Sequence, residues 1–165
     1  MKKIIVIGCP GSGKSTFSMA LHKITGIPLF HLDMLFWNAD KTTVEKAVFY
    51  ERLSKVLSGS EWIIDGNYAS TIELRMKECD TVVFLDYPTE VCLGGIAERC
   101  GKVRADIPWV ETETDAEFVE FVKSYNTQSR PQVMELLDRY SHKNIFIFKR
   151  RAEADEFLVG LGGKQ

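Results

Sequence analysis

The eight residues from position 8 to position 15, Gly-Cys-Pro-Gly-Ser-Gly-Lys-Ser, combine glycines, one lysine and one hydroxyl at a fixed spacing. They satisfy the pattern G-x-x-x-x-G-K-[ST], in which glycines let successive backbone N–H groups turn toward one anion. An apolar run at positions 4–7 precedes them, and a helix-compatible segment follows from Thr16. The alternative, a glycine turn that carries Lys-Ser by chance, does not account for this strand–loop–helix context. The segment therefore predicts a phosphate-binding loop, or P-loop.

The residues of this loop have expected roles toward a nucleoside triphosphate. The ammonium group of Lys14 would contact the β- and γ-phosphates, and the hydroxyl of Ser15 would ligate Mg²⁺. The helix that follows would direct its positive N-terminal end at the same phosphates. We expect ATP and Mg²⁺ as ligands, with the choice between ATP and GTP left open. The predicted nucleotide-binding residues are Gly8, Pro10, Gly11, Ser12, Gly13, Lys14, Ser15 and Thr16.

Short apolar runs alternate with helix-compatible segments along the chain. The predicted strands are 3–7, 28–32, 62–64, 81–85 and 144–148, and the predicted helices are 14–24, 42–58, 70–78, 89–101, 115–140 and 152–161. Fully apolar strands are typical of a parallel sheet that is covered on both faces. The alternation predicts an α/β fold, here a three-layer P-loop NTPase sandwich with a parallel five-stranded sheet. The carboxyl ends of its strands would share one edge, where ligands bind.

Two carboxylates follow predicted strands at that edge. Beside a P-loop, Asp65 would hold Mg²⁺ through water, although a turn-forming Asp-Gly pair is the alternative. Asp33 would orient or deprotonate an acceptor hydroxyl, and a helix cap or turn is its alternative. We interpret His31 as structural and assign it no catalytic role.

Two arginines, Arg99 and Arg104, flank the start of an irregular stretch at 101–114 that contains Gly, Pro and dense charge. We interpret this stretch as a lid-like insertion in a single domain that spans 1–165. Arginines that close over a transferring phosphoryl group can contribute roughly 10³–10⁵ in rate. A solvated helix face is the alternative for either arginine. Arg130 and the cluster at 149–151 are weaker candidates for phosphate or base contacts.

The composition restricts the class of protein. With 165 residues, 45% hydrophobic and 27% charged, the chain suits one globular domain. A net charge of −2 disfavours a general nucleic-acid surface, which needs a basic excess. No apolar run approaches the ~20 residues of a membrane span, and the four cysteines lack metal-ligand spacing. We expect a cytoplasmic protein with reduced thiols and no membrane partner, and leave the oligomeric state open.

The chain resembles the nucleotide-kinase group of P-loop proteins, and adenylate kinase in particular, over most of its length. Asp-Met-Leu at 33–35 is similar to the Gly-Asp-Met-Leu-Arg segment of adenylate kinases, and Ile-Ile-Asp-Gly at 63–66 to their Leu-Asp-Gly-Phe-Pro-Arg segment. Phe-Leu-Asp-Tyr-Pro at 84–88 resembles their fourth strand, and Arg99 falls where that family has a lid-hinge arginine. The resemblance implies phosphoryl transfer from Mg·ATP.

Three departures from adenylate kinase concern its nucleotide contacts. Phe36 and Ala69 replace two family arginines that hold the phosphate of the acceptor mononucleotide. Their charge-assisted contacts would each be worth roughly 1.5–3 kcal/mol. Gly95 stands where many adenylate kinases place an arginine against the adenine. The resemblance therefore implies that the site for the phosphate donor is retained and the site for the acceptor is altered. We do not expect AMP as the acceptor.

A closer resemblance is to the bacterial DNA topology modulation proteins. It is carried by His-Leu-Asp at 31–33 with Trp37, by Trp-Ile-Ile-Asp-Gly-Asn-Tyr at 62–68, by Arg75, and by residues of the segments 79–86 and 118–131. The family's label implies an influence on DNA supercoiling and supplies no chemical mechanism.

We predict an ATP-dependent phosphotransferase whose acceptor is a small molecule, a nucleoside or a nucleotide. The predicted catalytic residues are Lys14, Asp33, Arg99 and Arg104, and the predicted metal-binding residues are Ser15 and, through water, Asp65. The predicted acceptor pocket, which favours a hydroxyl-bearing small molecule or nucleoside, consists of Asp33, Trp37, Asn67, Tyr68 and Arg75. The alternative is a regulatory NTPase that influences DNA topology and needs no small acceptor. A nucleotide-binding relative without catalytic activity is a third possibility.

Overall fold

Five strands form one parallel sheet in the computed structural model, which describes residues 1–163. Their bounds are β1 (Lys3–Gly8), β2 (Leu29–His31), β3 (Trp62–Asp65), β4 (Thr81–Leu85) and β5 (Asn144–Phe148). The spatial order is β2-β3-β1-β4-β5, and every neighbouring pair is parallel. The predicted parallel five-stranded α/β fold is therefore confirmed.

The helices cover both faces of this sheet. Their bounds are α1 (Lys14–Thr25), α2 (Leu32–Phe36), α3 (Lys46–Leu57), α4 (Ala69–Glu78), α5 (Thr89–Arg99), α6 (Ala116–Gln128), α7 (Arg130–Arg139) and α8 (Arg151–Gly162). The single helix predicted at 115–140 is wrong, because the chain forms two helices that meet at Ser129. Pro131 lies in the first turn of α7, where the missing N–H of proline costs little. None of the described helices is long and apolar enough to cross a bilayer.

The core consists of two apolar layers, one on each face of the sheet. Successive side chains of a strand point to opposite faces, so β1 contributes to both layers. Ile4 and Val6 pack in the layer that contains Phe17 of α1. Ile5 and Ile7 pack in the layer that contains Leu53 of α3. The expectation that every strand is fully covered is wrong for the two edge strands, β2 and β5, which are only partly buried.

The carboxyl ends of the central strands place the candidate chemistry at one edge of the sheet. β1 ends at Gly8 and continues into the P-loop, and β3 ends at Asp65. β2 is shorter than predicted, because the chain enters the five-residue helix α2 at Leu32. The backbone N–H of Gly8 donates to Asn67 Oδ1 over 3.2 Å, which ties the P-loop to the turn that follows β3.

Candidate functional site

The P-loop packs so closely against α5 that two positions exclude any side chain. A Cβ atom on Gly11 would lie 2.0 Å from the carbonyl oxygen of Cys92, and the backbone there has φ +82°. A Cβ atom on Gly95 would lie 2.0 Å from the carbonyl oxygen of Gly11. Gly95, which the sequence comparison treats as a lost adenine contact, is therefore required by the packing of α5 on the loop.

Lys14 is oriented toward the interior of the P-loop. Its Nζ donates to the carbonyl oxygens of Gly8 at 2.9 Å and Cys9 at 3.1 Å. Desolvation lowers the pKa of Lys14, while the nearby charges of Asp65 and Asp33 partly oppose this shift. A bound phosphate would supply the counter-charge and favour the ammonium form. This geometry suits the predicted role of Lys14 at the β- and γ-phosphates.

A cavity of about 970 Å³ extends from the P-loop across the carboxyl edge of the sheet. Its lining brings together most of the predicted site residues, namely Pro10, Gly11, Gly13, Lys14, Ser15, Thr16, Asp33, Trp37, Asp65, Asn67, Tyr68, Arg99 and Arg104. Gly8 and Ser12 do not line the cavity, and the hydroxyl of Ser12 is buried without a hydrogen-bond partner. The donor-side and acceptor-side residues of the predicted site thus share one space.

Asp33 faces this cavity from the first turn of α2. The hydroxyl of Tyr68 donates to Asp33 Oδ1 over 2.6 Å. Burial raises the pKa of Asp33, although the Tyr68 hydrogen bond and the charge of Lys14 oppose the shift. Tyr68 adopts φ 38°, a conformation that is uncommon for a residue other than glycine and often marks a functional site. A partly buried carboxylate with a raised pKa is a suitable general base.

Asp65 contacts His31, which the sequence reasoning did not place in the site. The two residues are register partners on β2 and β3, so their side chains share a face of the sheet. His31 Nδ1 lies 2.8 Å from Asp65 Oδ2. Burial lowers the pKa of His31, but the hydrogen bond and the charge of Asp65 outweigh it and leave the pKa raised. Strand alternation alone could not reveal this contact, because it depends on the register between strands.

The 101–114 segment carries carboxylates that pair with the side chains predicted to bind phosphate and Mg²⁺. Asp106, which is 6% exposed, accepts a 2.5 Å hydrogen bond from Ser15 Oγ. It also receives two hydrogen bonds from Arg104, from Nε at 2.9 Å and Nη2 at 2.7 Å. Glu111 pairs with Arg104 Nη1 at 2.6 Å and with Arg99 Nε at 3.0 Å. The segment contains neither helix nor strand, so no periodic signal could have identified Asp106 or Glu111.

Arg75 does not line the cavity, in contrast to its predicted place in the acceptor pocket. Its side chain is fully buried in α4. Its guanidinium donates to the carbonyl oxygens of Gly66, at 2.9 Å, and Asn67. Burial lowers the pKa of Arg75 to about 9. In this structure Arg75 supports the loop that carries Asn67 and Tyr68.

Arg130, a weaker candidate for phosphate contacts, is paired with a carboxylate instead. Its Nε and Nη2 each donate to Asp86 over 2.8 Å, and Lys149 contacts the same carboxylate. These pairings hold the pKa of Asp86 below its ordinary value, against the effect of burial. Arg151, the last residue of the cluster, lines the cavity beside Gly11 and Gly13.

Oxygen ligands suitable for Mg²⁺ line the cavity beside the P-loop. Ser15 and Asp65 both line the cavity, and Asp106 reaches the Ser15 hydroxyl. Among residues 1–163, no group of three or more His, Cys, Asp or Glu side chains is arranged to hold a metal alone. Mg²⁺ commonly keeps several waters and binds one or two carboxylates together with substrate phosphates. The residues present therefore fit a metal that arrives with a nucleotide.

The comparisons with known proteins find similar folds among solved structures. No protein-family model matches the chain, and no curated protein sequence matches it. A shikimate kinase from Acinetobacter baumannii, solved with shikimate, matches 98% of this chain and 90% of its own at a TM-score of 0.66 and 15% identity.

Two further shikimate kinases match 98% of this chain and 96% of their own. The protein from Bacteroides thetaiotaomicron has a TM-score of 0.55 and 19% identity, and the protein from Aquifex aeolicus has 0.53 and 22%. Identities this low establish a shared fold and leave activity open, and the DNA topology modulation proteins do not appear among these three structures. This chain therefore has the P-loop kinase fold that these shikimate kinases share.

Proposed function

We propose that this protein is a phosphotransferase that moves the γ-phosphoryl group of Mg·ATP to a hydroxyl group of a small molecule. The observation that carries the proposal is one cavity whose lining includes Lys14 and Ser15 of the P-loop together with Asp33 of α2. A phosphate-binding loop alone would serve any nucleotide-binding protein. A partly buried carboxylate that faces the same space would add the base that transfer to a hydroxyl requires.

The proposed reaction uses these groups in a defined order. Asp33 accepts the proton of the acceptor hydroxyl as its oxygen forms a bond to the γ-phosphorus, and the bond from that phosphorus to the bridging oxygen breaks to release ADP. Lys14 stabilises the charge that develops on the phosphates. Ser15 and, through water, Asp65 would hold Mg²⁺, which would supply positive charge at the phosphates when bound. Tyr68 orients Asp33 through the 2.6 Å hydrogen bond.

The two arginines must exchange partners before they can contribute. Arg99 and Arg104 are paired with Glu111 and Asp106 in this structure. A γ-phosphate that enters between them would replace carboxylate oxygens with phosphate oxygens of similar geometry. The 101–114 segment would then act as the lid over the phosphoryl group.

The proposal also agrees with the kind of acceptor that the fold accommodates elsewhere. One fold neighbour is a shikimate kinase solved with shikimate, a small hydroxylated molecule. Our proposal extends only this general class to the present chain. The net charge of −2 is consistent with a small-molecule acceptor in place of a nucleic acid.

The test is an acceptor screen with Mg·ATP that monitors ADP release above the rate without acceptor. Asp33→Asn should reduce acceptor-dependent kcat by roughly 10²–10⁴ and leave the dissociation constant of ATP unchanged. The matched control is Asp40→Asn, an exposed loop carboxylate that contacts Thr42, and it should retain full activity.

Two results would refute the proposal. One is full phosphoryl transfer by the Asp33→Asn variant, which would show that Asp33 is not the general base. The other is ATP hydrolysis that no small acceptor stimulates but that DNA stimulates with a steep dependence on salt. The second result would favour the regulatory NTPase.

A further inference from the structure

The acceptor side of the cavity is a cluster of aromatic rings. Trp37 and Trp109 meet edge to face, with ring centroids 5.3 Å apart at 80°. Phe36 contacts Trp37 at 5.3 Å and Tyr68 at 4.9 Å, again edge to face. Trp37, Tyr68 and Trp109 line the cavity. Trp109 comes from the 101–114 segment, so this segment also closes against the acceptor side.

Apart from Lys102, the cations that line the described part of the cavity are paired with carboxylates or contact the P-loop. Within residues 1–163 they are Lys14, Arg99, Lys102, Arg104 and Arg151. Two of them, Arg99 and Arg104, are paired with carboxylates of the 101–114 segment. Lys102 lies on an exposed stretch of that segment.

The remaining two cavity cations belong to the donor side. Lys14 donates to carbonyls inside the P-loop. The Arg151 guanidinium lies 6.0 Å from the Tyr87 ring centroid and 3.5 Å from the Gly11 carbonyl oxygen. Arg75, the arginine expected among the acceptor residues, is buried against backbone carbonyls.

This arrangement selects against an anionic acceptor. Carrying a phosphate or carboxylate into an aromatic pocket removes its hydration, and this cost requires a paired cation. One of these rings, Tyr68, donates a hydrogen bond to the Asp33 carboxylate, and this carboxylate would repel a second anion. A flat or apolar ring face, by contrast, gains contact with Trp37 and Trp109.

Resting on the proposed function, we infer that the phosphoryl acceptor is an uncharged ring compound that bears a hydroxyl group, of the kind found in nucleosides and sugars, and that the two tryptophans contact its ring. The pocket would then discriminate against the phosphorylated or carboxylated form of the same ring. This specificity differs from that expected for shikimate, which carries a carboxylate.

The experiment measures both binding and turnover for matched ligand pairs. Each nucleoside is compared with its 5′-monophosphate, and neutral sugars are compared with shikimate, in the presence of Mg²⁺ and a non-hydrolysable ATP analogue for binding. The neutral member of a pair should bind at least roughly tenfold tighter than the charged member, since one unpaired charge contact costs about 1.5 kcal/mol or more. The nucleoside and sugar arms distinguish the two sources of a neutral ring.

An engineered cation gives an independent test. Ala69 is exposed, begins α4 and lines the cavity, so a longer side chain can extend into the acceptor side without disturbing the core. Ala69→Arg should improve binding of the charged members by roughly tenfold, whereas Ala69→Gln, a neutral side chain of comparable reach, should not. Trp109→Ala should weaken the neutral members by roughly tenfold.

Each outcome decides the inference separately from the proposed function. Tighter binding of neutral rings supports the inferred acceptor class, even if no phosphoryl transfer accompanies it and the phosphotransferase proposal fails. Tighter binding of monophosphates or shikimate by the natural chain overturns the acceptor class and leaves the phosphotransferase intact. Binding of no member, with ATP binding retained, also overturns it, as does an equal response to Ala69→Arg and Ala69→Gln.

Discussion

Arg75 offers a sharp test of how the acceptor side is held in place. Its guanidinium is completely buried and donates to Gly66 O, Asn67 O and the hydroxyl of Thr71. Asn67 in turn accepts from the backbone N–H of Gly8. Arg75 therefore links α4 to the loop after β3 and, through Asn67, to the start of the P-loop. Arg75→Met removes these donors and keeps an unbranched side chain in the space.

The expected loss of stability follows from the groups left behind. Two partly buried carbonyl oxygens lose their donor, at up to about 1–3 kcal/mol each, which sums to at most about 2–6 kcal/mol. Relief of the buried guanidinium charge offsets part of this loss, so we expect a decrease of about 2–4 kcal/mol in the free energy of unfolding. With a urea m value of about 2 kcal/mol per molar, the midpoint should fall by about 1–2 M.

Urea unfolding followed by circular dichroism measures this shift, and ATP affinity is measured in parallel. The control is Arg139→Met, because Arg139 is an exposed arginine that pairs with Glu73 on the surface, and its midpoint should not move. An unchanged midpoint for Arg75→Met, together with a selective loss of acceptor affinity, would refute this account. Arg75 would then be the acceptor ligand that the sequence predicted.

Three further predictions concern the P-loop, the 101–114 segment and the proposed general base Asp33. Gly11→Ala should destabilise the protein by more than about 1 kcal/mol and abolish ATP binding, because its methyl group would meet the Cys92 carbonyl. Gly26→Ala, where φ is +72° but the space is open, isolates the backbone strain and should retain ATP binding in calorimetry. Asp106→Asn removes charge-assisted contacts worth about 1.5–3 kcal/mol each, so it should speed proteolysis within 101–114 and red-shift tryptophan emission. Unchanged cleavage would contradict the Ser15–Asp106 contact. The logarithm of kcat/KM should fall with a slope of one against pH below the raised pKa of Asp33, because protonation removes the base. An acid limb that remains in Asp33→Asn would assign that limb to another group.

Local patterns in the sequence were sufficient to predict the parallel α/β fold. Each central strand is a short apolar run bounded by polar residues, and β4 and β5 have the predicted bounds. The helix α2 was missed because five residues are too few to show a helical period. The division of 115–140 into α6 and α7 was missed because a proline in a first helical turn does not by itself mark a break.

The acceptor side could be predicted only as a set of residues. Asp33, Trp37, Asn67 and Tyr68 line one cavity as expected, whereas Arg75 does not. Polarity and position relative to the strands indicated which residues lie near the edge of the sheet. They did not indicate whether the guanidinium of Arg75 would lie in the cavity or would be buried against the loop after β3. That choice depends on carbonyl groups whose positions follow from the packed loop.

The sequence by itself determined the P-loop, the parallel sheet and the presence of Asp65 after a central strand. These features are encoded by contiguous residues, because glycine spacing controls backbone conformation and apolar runs control burial. Only the tertiary structure decided the pairings of the charged groups. Ser15 and Asp106 are 91 residues apart, and Asp106 lies in a segment that shows neither a helical nor a strand periodicity. Long polar side chains satisfy whichever partners the fold brings within reach, so the pairings follow from three-dimensional proximity and leave no signature in the linear order of residues.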